Sequence, residues 1–215
     1  MKLYQFLSIC DDRDKLIDYL IEHRVLPSSV RCPRCDNAMD LNRNSLFFRC
    51  YKVEYIRDCH KKKLKKKCDK KLSIFHNTWF AESRLDLQTV CRFVAYFLHI
   101  RPPRYTFLER ELEISDRTIV NWSGFCRELC IQWMKSHSEM IGGEGQIVEI
   151  DEAKMGKRKY NKGHMQTRAN ISKDGTQKYH FVGYSAEFFF RRHYNHCEII
   201  DAFFNIMANM YPISE

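Results

Sequence analysis

An α+β fold is what this 215-residue sequence predicts, on three observations. Apolar residues recur at three- and four-residue spacing in 11–24, 85–99 and 104–136, the period of amphipathic helices. Between the first two segments, residues 30–80 alternate short β-prone runs with Cys, Pro, Asn and Asp, which reads as strands and turns. A β-branched run, Gln146–Asp151 (QIVEID), reads as a further strand. Hydrophobic residues make up 44% of the chain, enough for a packed core, so disorder from low hydrophobicity is excluded.

Each element has its own signals. In 11–24, Leu16, Ile17, Leu20 and Ile21 share a face, acids open the segment, and Pro27-Ser28-Ser29 breaks it. The 85–99 helix stops at Pro102-Pro103. The 104–136 region divides into a helix over Tyr105–Leu112, a turn at Ile114-Ser115-Asp116 and a longer helix over Arg117–Lys135. Asp116 is expected to cap that second helix, accepting from amides near Ile119. Ile119, Trp122, Phe125, Cys126, Leu129 and Trp133 form a core-facing stripe, and Cys91, Cys126 and Cys130 read as core residues. Arg117, Thr118 and Asn121 then point outward at the helix start, where a helix-turn-helix reads base edges. The same stripe equally suits a plain three-helix bundle. Gly142, Gly143 and Gly145 mark a linker, and Tyr194–Tyr211 reads as an amphipathic helix without an assigned use. The expected segments are 1–29 (N-terminal helix), 30–80, 81–141 and 146–215.

The cysteines and charges point to partners. Cys32-Pro33-Arg34-Cys35 places two sulfurs on one tight turn, the spacing of a zinc knuckle. Cys50 is the expected third ligand. Cys59, His60 and Cys68 compete for the fourth place, with Cys68 favoured because it precedes the strand-like KLSIF. The 30–80 segment is therefore expected to be a zinc ribbon, its Zn2+ structural and supplying folding free energy. The net charge of +9 is concentrated: 57–71 holds nine Lys/Arg against two Asp, and 154–168 holds six Lys/Arg and no acid. Such clusters fit a polyanion, nucleic acid first. The apolar runs are too short to span a bilayer, so no membrane partner is expected. The N-terminus does not read as a signal peptide. An intracellular site, where thiols stay reduced, follows, and the ten cysteines then read as metal ligands and buried thiols.

In Ile147–His164 (IVEIDEAKMGKRKYNKGH) an apolar strand ends in Glu149, Asp151 and Glu152 and runs into lysines and arginines. Acids so placed can hold Mg2+ against phosphate oxygens. The order CPRC, Cys50, Cys68, Ser73 and Thr78-Trp79-Phe80, then RPPR, Ile114-Ser115, Thr118, Trp122 and FCRE, then VEIDEAK and GKRKYN resembles Merlin-type DNA transposases and their bacterial insertion-sequence relatives. The match runs from about Ser8 to Gly163. The resemblance implies a zinc ribbon on Cys32, Cys35, Cys50 and Cys68, whose spacing to Trp79 supports Cys68, and a helix-turn-helix over 81–141. It also implies a ribonuclease-H-like α/β catalytic domain, partial here, over 146–215. Asp151 matches the first catalytic aspartate, a ligand of Mg2+ or Mn2+. Lys154, Lys157, Arg158 and Lys159 would contact phosphates beside it. The implied partner is double-stranded DNA, in the first place transposon terminal repeats, with a homo-oligomer as the open assembly. The implied compartment is the nucleus in a eukaryote.

From His164 onward the sequence departs from the family's order. The second and third acids of the triad have no match, although Asp174, Glu187, Glu198 and Asp201 are acids in that stretch. Only 70 residues follow Gly145, short of an ordinary catalytic domain. The expectation is a truncated, transposase-derived protein that binds DNA without cutting it. The alternative is an active metal-dependent transposase completed by unrecognised acids or by another chain.

Overall fold

The computed structural model describes residues 1–57, 63–137 and 178–213, a mixture of helices and strands. In chain order the elements are α1 (Leu3–Asp11), α2 (Arg13–Glu22), β1 (Val30–Arg31), β2 (Ala38–Asn42), β3 (Phe47–Arg49), β4 (Val53–Arg57), β5 (Lys63–Lys67) and β6 (Lys71–Ser73). Then follow α3 (Leu87–His99), α4 (Tyr105–Leu112), α5 (Asp116–Ser136), α6 (Lys178–His193) and α7 (Ile199–Met210). Two compact units result: Ser8–Gln88 with Phe204–Glu215, and Met1–Leu7 with Thr89–Phe203. Each is made of two separate stretches of chain, whereas the segments expected from the sequence are continuous. No helix among the described residues is long and apolar enough to cross a membrane.

In the unit built on Ser8–Gln88, β1, β2, β3 and β6 form an antiparallel sheet in that order, and β4 and β5 form a separate two-stranded sheet. Asp12 caps α2 by accepting from the amides of Asp14 and Lys15. Leu16, Ile17 and Leu20 of α2 are buried, as the spacing requires, and Tyr19 meets Phe204 edge to face at 5.6 Å. Arg43, in the β2–β3 turn, donates to Asp18 at 2.6 Å, tying that turn to α2. The Thr78-Trp79-Phe80 stretch is a turn: the Thr78 hydroxyl donates to the Phe75 carbonyl at 2.9 Å and accepts from the Phe80 amide. α1 is a helix that the sequence reading did not separate from α2. The break falls at Asp12, whose side chain starts a new helix.

In the other unit α4 and α5 meet through Glu113-Ile114-Ser115, with Glu113 in the left-handed region at φ 52°. Asp116 does not cap α5. Ser115 does: its Oγ accepts from the Thr118 amide, and Asp116 becomes a first-turn acid facing the positive helix end. Ser115 sits one position earlier, in the extended conformation a cap needs (φ −69°, ψ 153°). Ser115→Ala should therefore cost about 1 kcal/mol in urea unfolding, while Asp116→Ala should cost less.

The stripe on α5 buries Ile119, Trp122, Cys126, Leu129 and Trp133, together with Cys130. Phe125 is an exception at 44% exposed, because it rolls off the stripe onto the edge of Trp122. Cys91, Cys126 and Cys130 are fully buried, and burial pushes the Cys126 thiol above its ordinary range. α6 lies along α5, and a Cβ at Gly183 would come within 3.1 Å of Arg127 Cδ, so a larger residue there would push the Arg127 side chain aside by a few tenths of an ångström. Trp133 Nε1 donates to Tyr194 Oη at 3.1 Å, and its ring meets Phe190 edge-on at 5.2 Å. The helix expected over Tyr194–Tyr211 is the shorter α7, since Tyr194–Glu198 makes the turn between α6 and α7. The described part of 146–215 is helical. The expected strand Gln146–Asp151 lies outside the described residues.

Candidate metal centre

Four cysteines converge in the strand-rich unit. The Sγ atoms of Cys32, Cys35, Cys50 and Cys68 all lie within 4.8 Å of one another. Cys32 and Cys68 are 3.6 Å apart, Cys35 and Cys50 3.5 Å. Four sulfurs ~2.3 Å from a central zinc sit about 3.8 Å apart along the tetrahedron's edges. A disulfide would hold its sulfurs at about 2.05 Å. The spacing thus fits ligands around one ion and excludes bonded pairs.

The two halves of the site are built differently. Cys32 and Cys35 share a tight turn: the Asp36 amide donates to the Cys32 carbonyl at 2.8 Å, and the Cys32 amide to the Asn37 carbonyl at 2.9 Å. Asp36 takes φ 53° to close it. Cys50 and Cys68 are separated by the β4–β5 hairpin and are brought together by strand pairing. The Cys50 amide donates to the Lys70 carbonyl at 2.9 Å and the Cys68 amide to the Lys52 carbonyl at 3.0 Å. A two-stranded base therefore does what a second Cys-x-x-Cys turn does elsewhere. Cys59 and His60, the competing ligands, lie outside the described residues.

The sulfur environment is regular. Each cysteine accepts from the amide two residues on: Arg34 for Cys32, Asn37 for Cys35, Lys52 for Cys50 and Lys70 for Cys68. Among the thiols, Cys32 ionises most readily. Burial opposes its charge, but the Arg34 and Cys35 amides and the Cys68 and Cys35 thiols draw its pKa down to about 6. For the other three the amide favours the thiolate, yet burial and the neighbouring sulfurs leave their pKa values above 9.0. Four soft donors, each with an aligned amide, are the donor set that a closed structural zinc site uses.

The other expected site residues fall in two groups. Arg117 and Asn121 are exposed on the first turns of α5, while Thr118 is half-buried and its hydroxyl lies 2.9 Å from Ser115 Oγ in the cap. Asp151, Lys154, Lys157, Arg158 and Lys159 lie outside the described residues. Of the later acids, Glu187 is buried between Arg104, Arg127 and Arg191 at 2.8, 3.1 and 3.1 Å. Asp201 Oδ2 lies 3.0 Å from the Met1 amino nitrogen, Glu198 is exposed, and Asp174 lies outside the described residues. The sequence carries a signal for the Glu187 cluster: Arg104 and Arg127 belong to the RPPR and FCRE runs. No family model, curated protein or solved structure matches this chain.

Proposed function

We propose that this chain is a zinc-organised, double-stranded-DNA-binding protein of Merlin transposase descent. The observation that carries the reading is the four-cysteine centre, whose cysteines and flanking Thr78-Trp79-Phe80 are the first part of the motif order. Structural zinc holds the strands, and the basic clusters at 57–71 and 154–168 meet phosphates. The start of α5, with Arg117 and Asn121 exposed, offers a second contact to DNA. Binding without cleavage is the favoured activity. Glu187 is committed to three arginines, so it is not free to complete a metal site with Asp151. The second reading, Mg2+- or Mn2+-dependent cutting and joining of DNA, rests on the Ile147–His164 motif with Asp151 as metal ligand.

The test uses the zinc-loaded chain and duplexes with and without terminal inverted repeats. The expected result is binding whose log K falls linearly with log salt, and no nicking with Mg2+ or Mn2+. Absence of binding at low salt overturns the reading. Nicking that Asp151→Ala abolishes installs the second one.

A further inference from the structure

The β4–β5 hairpin grows directly out of the metal centre. Its base is closed by the Cys50–Lys70 and Cys68–Lys52 backbone bonds, so its first and last residues are held by the third and fourth cysteines. A lone two-stranded hairpin is marginal in water, and this one is joined to the module at the metal centre. Its register sets Val53 opposite Lys67, Glu54 opposite Lys66, Tyr55 opposite Lys65 and Arg57 opposite Lys63. Residues directly opposite share a face, and the next pair along lies on the other.

The two faces differ in charge. On one, Glu54 stands across from Lys66 and accepts an ion pair from Lys52 at 3.1 Å, so positive charge there is partly offset. On the other, Tyr55, Lys65 and Lys67 are all exposed, Tyr55 by 68%, and the described strand residues of that face include no acid; Asp69, beyond the base, is near Lys67 but is held first by Arg49 at 2.6 Å. Like charges crowded on a ribbon oppose its formation. Folding does not need them, and a polyanion would make use of them.

We propose that the Tyr55–Lys65–Lys67 face of this hairpin is the duplex-DNA-binding surface of the zinc module. A two-stranded ribbon fits the B-DNA major groove, about 12 Å wide. Five residues span about 17 Å, half of a ~34 Å helical turn. Lys65 and Lys67 neutralise phosphates, and the Tyr55 hydroxyl donates to the sugar–phosphate backbone. The metal centre fixes the angle at which the ribbon leaves the module. This inference rests on the DNA-binding reading above.

The experiment measures duplex affinity against KCl for the zinc-loaded chain and three variants, with zinc content checked for each. Lys65→Gln/Lys67→Gln should lower the salt slope by about 2, one per phosphate contact. Tyr55→Ala should weaken binding about 3- to 10-fold with the slope unchanged. Lys66→Gln, on the offset face, should lower the slope by less than half the double variant's loss. If the native chain binds and the double variant keeps its slope, or Lys66→Gln lowers it as much, the face is wrong. Single strands bound as tightly as duplex overturn the choice of partner. A native chain that fails to bind at all overturns the DNA-binding reading itself, a separate result.

Discussion

Cys35→Ser is expected to cost the chain its zinc and to unfold the strands between Val30 and Ser73. Cys35 is one of four sulfurs that meet within 4.8 Å, and its partner Cys50 lies 3.5 Å away. Serine's oxygen is a hard, weakly ionised donor, so a three-thiolate remnant binds zinc far less tightly. Structural zinc in small modules contributes about 10–16 kcal/mol of apparent binding free energy, against a whole-domain stability of about 5–15 kcal/mol. β1 has two residues, and β3 and β6 three each, so beside the buried Met39, Phe48 and Ile74 the metal is a main support of the sheet. Zinc content by atomic emission should fall from one per chain to near zero, and amides of β2, β3 and β6 should lose exchange protection. The helical signal should persist, because α4, α5 and α6 belong to the other unit with its own buried side chains. A chelator should reproduce the result. Unchanged zinc content in Cys35→Ser would refute the site.

Glu187→Gln should destabilise the helical unit by about 3–5 kcal/mol, the cost of breaking a buried ion pair by removing one partner. Glu187 is 3% exposed and faces three guanidinium groups. Those groups also serve the end of α3: Arg104 donates to the Ile100 carbonyl at 3.0 Å, and Arg191 to the Phe97 and Ile100 carbonyls. Arg104 additionally covers the Phe97 ring, 4.2 Å from its centroid. Among the described residues, the Glu187 carboxylate is the negative charge that these three guanidinium groups share, and it links α3, α5 and α6. Arg127→Met, at its more open edge, should cost less, about 1.5–3 kcal/mol.

The same carboxylate sets an acid limit. Burial raises the Glu187 pKa, but Arg104, Arg191 and Arg127 outweigh it and hold the folded-state value below the ordinary 4.5. A depressed folded pKa means the stabilisation is fully present above 4.5 and is lost as pH falls from there through the folded value. Arg191, drawn down to about 10 by burial and by Arg104 against the pull of Glu187, remains charged throughout that window. Urea titrations between pH 6 and 3 should show the native chain losing stability below 4.5 and Glu187→Gln losing much less. Parallel curves for the two proteins would sink the assignment.

Helix placement was legible where a single local signal dominated. The apolar spacing located α2, α3, α4 and α5, since a buried face is written every three or four residues. The cap was misplaced by one residue because Ser115 and Asp116 both carry an oxygen that can accept. Only the backbone angles at 115 decide which is the cap. Phe125 shows the same limit: on a 3.6-residue period it borders the stripe, and the neighbours determine whether it is covered.

By itself the sequence determined the donor chemistry: cysteines at 32, 35, 50 and 68, a basic run between the last two, and apolar stripes that must become helices. Those are properties of residue type and spacing, which the chain carries whether folded or not. The tertiary structure decided that Cys50 and Cys68 form the second half of one centre, across a hairpin base. Among the described residues it also turned part of the basic run into a ribbon strand, with Glu54 and its ion pair to Lys52 on one face and Tyr55, Lys65 and Lys67 on the other. Glu187, read as an isolated acid, became the hub of three arginines from α5, α6 and the start of α4. Each of these depends on which distant segments pair. Pairing is set by the summed burial and hydrogen bonding of the whole unit, a sum that no local spacing contains.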